Sequence, residues 1–177
     1  MNNLKYLFIG TLLMLISACT PSQQAKVESS SSQANAADTS KVEANSKAVK
    51  GKLNIKGWEI RVTGVKYAGQ TIKGQYRTYE AAEIWTVVSV TFKNTTNKRQ
   101  RQDDALTYLF ISTLADSQNN KYDVKETEFK FDTNLLSKPF APGEARSVDL
   151  LFDTPKGIKA DKFLTKNEKF EDIALKL

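Results

Sequence analysis

The fold is decided by Ile84-Trp85-Thr86-Val87-Val88-Ser89-Val90-Thr91-Phe92, residues 84–92. This stretch is rich in β-branched and aromatic residues, and its side chains alternate between two faces as in a β-strand. The first face carries Ile84, Val88, Val90 and Phe92, and the second carries Trp85, Val87, Ser89 and Thr91. The polar run Asn94–Lys98 that follows is typical of a turn.

Shorter period-two segments lie on both sides of this strand. The alternation of Trp58, Ile60 and Val62 continues beyond Thr63-Gly64 with its phase shifted by one residue, which predicts a β-bulge. Later strands are predicted at Leu106–Leu114, after the Asn119-Asn120 turn, between Pro142-Gly143-Glu144 and Pro155, and at Ile173–Leu177. The segment Lys125–Leu136 is compatible with either a short helical turn or a strand.

Several short strands separated by turn signals, with no convincing amphipathic helix, predict an all-β fold over residues 51–177. We expect an antiparallel β-sandwich of about seven strands. The 177 residues allow one compact domain with a tail left over.

The composition excludes much chemistry. The chain has no His, the commonest general base and metal ligand, and its single Cys excludes a disulfide framework within one chain. Lys and Arg number 26 against 20 acidic residues, a formal charge of +6. This excess is too evenly spread, in an exported protein, to predict nucleic-acid binding.

The amino terminus predicts export and lipid anchoring. Lys5 precedes the apolar run Leu7–Ile16, which is too short to span a membrane and is typical of a signal peptide, residues 1–18. The following Ile16-Ser17-Ala18-Cys19 resembles the lipobox of bacterial lipoproteins. That resemblance implies diacylglycerol on Cys19 and a lipid anchor at the extracytoplasmic face of the cell membrane, since two acyl chains hold a protein stably there.

Residues 19–50 form the predicted tether. After Cys19 they consist mainly of Ser, Gln, Ala, Asn, Lys and Asp, with Val as the only branched aliphatic residue. Such a segment buries too little apolar surface to offset the entropy of ordering, so we expect disorder.

The predicted domain also resembles a known family. The strand from Trp85 to Asn94, the strand leading to Asp116 and Tyr122, and Pro142-Gly143-Glu144 followed by a strand ending at Pro155 carry the resemblance. They are similar to the bacterial extracytoplasmic Ig-like domain of unknown function found in lipoproteins, which is allied to the immunoprotective Ig-like secreted antigens. The resemblance implies an Ig-like β-sandwich without an inter-sheet disulfide, and no active-site residues. The stretch Gly157–Lys169 departs from the family pattern.

No catalytic motif emerges. Ser-x-x-Lys is absent from the sequence, and Gln70 stands where a phosphate loop beginning at Gly64 requires Lys. Two carboxylate pairs of a hypothetical hydrolase, Glu80 with Glu83 and Glu126 with Glu128, are better interpreted as solvated charge. The oxygen-rich group at Asp116, Asn119, Asn120 and Asp123 is better interpreted as a turn than as a Ca²⁺ site. We therefore expect no enzyme, cofactor or metal.

Two features are candidate binding surfaces. Arg99 and Arg101 lie in a basic loop that could bind an anionic cell-wall polymer or another envelope protein, although Asp103-Asp104 cancels part of its charge. Tyr76 and Tyr79 lie in a Gly- and Gln-rich connection, where they either recognise a ligand or cover Trp58 or Trp85. The sequence thus predicts a membrane-anchored binding module, with an envelope spacer or assembly factor as the alternative and an envelope hydrolase as a less favoured one.

Overall fold

A computed structural model describes residues 51–177. The predicted signal peptide (1–18) and tether (19–50), including Cys19, lie outside the described residues. The strands in chain order are β1 (Leu53–Ile55), β2 (Trp58–Tyr67), β3 (Thr71–Lys73), β4 (Thr78–Glu80), β5 (Ile84–Asn94), β6 (Thr113–Asp116), β7 (Lys121–Asp123), β8 (Glu126–Phe129), β9 (Ala145–Thr154), β10 (Ala160–Lys166) and β11 (Asp172–Lys176). One helix, α1, covers Asp103–Phe110, and a 3-10 helix covers Thr133–Ser137.

The strands form two main sheets, with antiparallel pairing throughout. The first sheet has the order β1-β2-β5-β9-β8, and the second has the order β11-β10-β6-β7. Strands β3 and β4 pair only with each other, as a hairpin. The predicted all-β antiparallel sandwich is confirmed, with eleven strands in the described region in place of about seven.

The main hydrophobic core combines side chains of both sheets and of α1. Its largest fully buried members are Trp58, Phe92, Phe140, Phe152 and Phe163. Complete burial of a large apolar side chain contributes ~1.5–3 kcal/mol, so these rings supply much of the apolar stabilisation.

Strand β5 has the central position that its alternation predicts. It lies between β2 and β9, with Val88 and Val90 in the main core and Trp85 and Val87 in a second, smaller cluster on the opposite face. The predicted bulge is confirmed, because the pairing of β2 with β5 shifts register between Val62 and Gly64.

The predicted strand Leu106–Leu114 is wrong, because α1 occupies most of it. Ala105 and Leu109, four residues apart, are fully buried on one face of the helix. Asp103 and Asp104 occupy its first turn, where the helix dipole favours negative charge. A short apolar run does not by itself distinguish helix from strand. No helix within residues 51–177 is long and apolar enough to cross a membrane.

Two segments that the pattern left open now have a structure. Lys125–Leu136 contains both alternatives, first the strand β8 and then the beginning of the 3-10 helix. The divergent stretch Gly157–Lys169 contains β10, an internal strand of the second sheet that pairs with β6 and β11.

Candidate functional site

The tyrosine-containing connection forms the β3–β4 hairpin over the second face of the first sheet. Tyr79 is only 5% exposed and packs with Trp85, Val87 and Leu151. The indole N–H of Trp85 also donates a hydrogen bond to the Tyr79 carbonyl oxygen (3.3 Å). Tyr79 therefore does not belong to an exposed binding surface. Of the two predicted roles, Tyr79 has the second, in which the connection covers Trp85, because its position in β4 directs the ring at the sheet.

A buried carboxylate holds this hairpin in place. Glu128 of β8 is 5% exposed and accepts hydrogen bonds from the Tyr79 hydroxyl (2.5 Å) and the Gln75 backbone N–H (2.7 Å). Burial raises the pKa of the Tyr79 phenol, and its hydrogen bond to Glu128 acts in the same direction. Arg77 stacks on the Tyr79 ring, 4.6 Å from its centroid, and forms an ion pair with Glu126. These contacts fix the hairpin and engage both Glu126 and Glu128.

The hairpin requires glycine at position 74, and Gly74→Ala is expected to lower the free energy of unfolding by about 1–3 kcal/mol. An added Cβ would lie 2.5 Å from Tyr79 Cε2, 2.6 Å from Glu128 Oε2 and 3.0 Å from the Arg77 carbonyl oxygen. Denaturant titration monitored by tryptophan fluorescence measures the change. Gly69→Ala is the matched control, since its Cβ meets no atom within 4 Å. Equal stability of the two variants would contradict this close packing.

The predicted binding residues are not brought together. Tyr76 is 64% exposed and lies in the hairpin loop beside Glu128. In the sheet, Glu128 pairs with Asp149, which in turn pairs with Ser89 of β5. Asn94, the last residue of β5, is five residues or roughly 16 Å further along the strand than Ser89, and Arg99 lies beyond it. With Tyr79 buried, Tyr76 and Arg99 belong to different surfaces.

The basic loop is exposed, and its acidic neighbours do cancel part of its charge. Arg101 donates to Asp103 (2.7 Å) in an ion pair whose two side chains are largely exposed. Such pairs contribute little to stability. Arg99 lies near Glu144, whose pKa is lowered chiefly by the backbone N–H of Ala141 and, among smaller causes, by the charge of Arg99.

The oxygen-rich group around Asp116 is a closed turn. The Asp116 carboxylate accepts hydrogen bonds from the backbone N–H groups of Gln118 (2.8 Å) and Asn120 (2.9 Å), from the Asn120 amide (2.9 Å) and from the Tyr122 hydroxyl (3.2 Å). These donors, led by the Asn120 side chain, lower the pKa of Asp116. No group of three or more His, Cys, Asp or Glu side chains placed to hold a metal ion occurs among residues 51–177. The turn interpretation accounts for these residues.

The other candidate carboxylates also have structural partners. In the other proposed pair, Glu80 accepts a hydrogen bond from the Thr71 hydroxyl (2.8 Å). Its partner Glu83 accepts one from the Lys156 backbone N–H (3.2 Å). Their arrangement is that of solvated or packing charge.

A cleft that the sequence did not predict lies where two hairpins meet. The β1–β2 turn approaches the β10–β11 turn, and the Lys56 backbone N–H donates to Glu168 Oε1 (2.8 Å). Helix α1 forms the remaining wall. This cleft, here called the tip cleft, has a volume of about 310 Å³ and is lined by Lys56, Asp104, Thr107, Tyr108, Asn167, Glu168 and Phe170. Its volume is at the lower end of the ~300–1,000 Å³ typical of small-molecule sites.

Several polar groups of the tip cleft are unused by the fold. Within residues 51–177, the Lys56 ammonium, the Asp104 carboxylate and the Tyr108 hydroxyl form no hydrogen bond or ion pair, and Glu168 uses only Oε1. Asn167, by contrast, is fully engaged in its own turn. The tip cleft therefore offers both donors and acceptors to a ligand.

Phe170 forms the exposed rim of the tip cleft. It is 74% exposed and has a φ of 61°, in the left-handed region that favours Gly and Asn. The turn holds it there, since Asn167 Oδ1 accepts the backbone N–H groups of Lys169 (2.8 Å) and Glu171 (3.0 Å). In the sequence, Asn167 between two apolar segments indicates this turn, but it lies within Gly157–Lys169, the stretch that departs from the family pattern.

The architecture defines a two-sheet β-sandwich domain with an exposed cleft at its hairpin tips. The chain belongs to the family described as Domain of unknown function (DUF4352), whose model matches residues 48–173. No curated protein matches the chain.

Two solved structures are similar to it. An uncharacterized β-sandwich protein from Clostridium difficile 630 is 14% identical, with a TM-score of 0.49, over 73% of this chain and 91% of that protein. A conserved hypothetical protein from Bacillus anthracis is 16% identical, with a TM-score of 0.47, over 77% of this chain and 100% of that protein.

Proposed function

We propose that this chain is a lipoprotein, anchored at the extracytoplasmic face of the cell membrane, whose β-sandwich binds a ligand without catalysis. The lipobox-like Ile16-Ser17-Ala18-Cys19 supports the anchor. The tether of residues 19–50 would let the domain reach clear of the lipid headgroups. A kinship with the Ig-like secreted antigens is part of the same proposal.

The observation that carries the binding role is the tip cleft. An exposed aromatic ring lies beside accessible hydrogen-bond donors and acceptors, which favours ligand binding over a role as a spacer. A hydrolase is less well supported, because the carboxylates Glu126 and Glu128 are engaged in holding the β3–β4 hairpin. Binding requires only the donors, the acceptors and the ring.

The anchor is tested by Cys19→Ser, which we expect to release the protein from membranes or to leave its signal peptide uncleaved. The serine hydroxyl cannot form the thioether that carries the diacylglycerol. Cell fractionation and mass spectrometry of the mature amino terminus measure the result. Ser17→Ala is the matched control, since it keeps a small residue at that position and should remain bound. Membrane retention of wild-type protein with an unmodified Cys19 would contradict the anchor.

A further inference from the structure

Building on the binding role above, we propose that the tip cleft binds a neutral glycan, with the Phe170 ring stacked on the face of one sugar residue. The first support is the backbone of Phe170. Left-handed φ is costly for a bulky side chain, and the ring is too exposed for packing to offset that cost. Strained residues of this kind concentrate at functional sites, because selection for stability alone would remove them.

Phe170 differs from the other non-glycine residues that have a positive φ in the described region. Two other residues outside glycine have positive φ in the described region, Asn119 (62°) and Lys56 (47°). Asparagine tolerates this conformation, and Lys56 adopts it in the two-residue β1–β2 turn. Phe170 adopts it at the last position of the β10–β11 loop, which is usually filled by Gly or Asn. Phe170 alone places a large apolar side chain in this conformation and in solvent.

The unpaired polar groups match a polyol. Sugar hydroxyls both donate and accept hydrogen bonds, and the tip cleft offers donors from Lys56 and Tyr108 and acceptors from Asp104 and Glu168. The negative π face of an aromatic ring attracts the polarised C–H groups on one face of a pyranose. Ring and polar groups together therefore favour a carbohydrate over a purely apolar ligand.

The local charge separates neutral from anionic polymers. The lining of the tip cleft carries a single ammonium, on Lys56, beside the two carboxylates of Asp104 and Glu168. A lone lysine between two carboxylates does not provide the cluster of positive charge that binds a phosphate-bearing polymer. The neutral glycan thus differs from the anionic polymer considered for Arg99 and Arg101.

The test uses the full-length protein purified in a detergent without a sugar headgroup, because Cys19→Ser could leave the apolar signal peptide attached. Calorimetric titration with soluble neutral hexasaccharides, β-1,4-linked glucose and β-1,4-linked N-acetylglucosamine, should show binding to one of them. Phe170→Asn should weaken that affinity at least tenfold while raising the Tm by ~2–5 °C, because Asn relieves the left-handed backbone. A purely structural Phe170 would not produce opposite changes in affinity and stability. Phe110→Ser, at another exposed aromatic residue (49%) that does not line the tip cleft, should leave the affinity unchanged.

Two further outcomes separate the glycan from the binding role. A photoreactive phenylalanine analogue at position 170, activated in intact cells, would reveal a protein partner. Protein capture at this position with no hexasaccharide binding would overturn the glycan but leave the binding role. Neither binding nor capture would overturn both. Glycan binding that Phe170→Asn leaves unchanged would overturn the placement of the site.

Discussion

Arg146→Ala is expected to lower the free energy of unfolding by about 3–5 kcal/mol, because it removes a buried cation that holds the segment 135–144 against β9. The Arg146 side chain is 4% exposed and stacks on the Phe140 ring, 3.8 Å from its centroid. Its guanidinium donates to the carbonyl oxygens of Leu135 (2.7 Å) and Lys138 (3.4 Å) and to Glu144 (2.9 Å). Without it the Lys138 carbonyl oxygen loses its donor, and the 3-10 helix loses the hydrogen bond from β9 to the Leu135 carbonyl oxygen.

Two matched variants separate charge from geometry. Arg146→Lys keeps the charge but lacks the planar fork that reaches several acceptors, so it should lose about half as much stability. Arg146→Met keeps the packed stem and loses every hydrogen bond. Guanidinium denaturation monitored by tryptophan fluorescence measures all three, since Trp58 packs edge-on against Phe140 (5.1 Å). A loss below about 1 kcal/mol for Arg146→Ala would mean that water replaces the guanidinium at little cost.

The loss of stability at acidic pH provides an independent measurement of the role of Arg146. The Ala141 backbone N–H and then Arg146 lower the pKa of Glu144. A lowered folded pKa contributes stability that is present above the unfolded value, ~4.3, and is lost as pH falls through the folded value. In Arg146→Ala, one cause of the shift disappears. The difference between stability at pH 7 and at pH 3 should therefore be smaller than in the wild type.

Local patterns predicted much of the sandwich. The alternation around Val88 sets the two faces of β5, Gly64 marks the bulge, and Pro155 ends β9. The helix α1 was missed because its apolar run is too short for its period to be read. The strand β10 was missed because the charged residues Asp161 and Lys162 interrupt its alternation.

The candidate site was beyond the reach of local patterns. The tip cleft depends on contact between Lys56 and Glu168, which are 112 residues apart in the sequence. The burial of Tyr79 likewise depends on Glu128, 49 residues away. No single sequence shows which distant hairpins meet. A resemblance to a family without assigned active-site residues could not supply that information either.

Asn94→Ala is expected to lower the free energy of unfolding by about 3–4 kcal/mol, because one fully buried amide closes the end of β5. Asn94 Nδ2 is close to three carbonyl oxygens, those of Lys98 (2.7 Å), Phe140 (3.2 Å) and Ala141 (3.2 Å). Its Oδ1 accepts the backbone N–H (2.9 Å) and the hydroxyl (2.8 Å) of Thr96. Alanine removes all of these hydrogen bonds at once and leaves the Thr96 backbone N–H without its acceptor. The carbonyl oxygens of Lys98, Phe140 and Ala141 each keep a second donor, so the loss reflects the sum of the Asn94 contacts.

The near-isosteric Asn94→Asp tests whether the donated hydrogen bonds dominate. A carboxylate keeps both contacts to Thr96 but cannot donate, and it places negative charge beside three carbonyl oxygens. Its stability loss at pH 7 should equal or exceed that of Asn94→Ala. The carbonyl oxygens favour the protonated acid, so its folded pKa is raised and the loss should shrink as pH falls through that value. Full stability of Asn94→Asp at pH 7 would show instead that the contacts to Thr96 alone hold the turn. The asparagine that ends the family-like strand would then act as a local cap and would not bind β5 to the Phe140 segment.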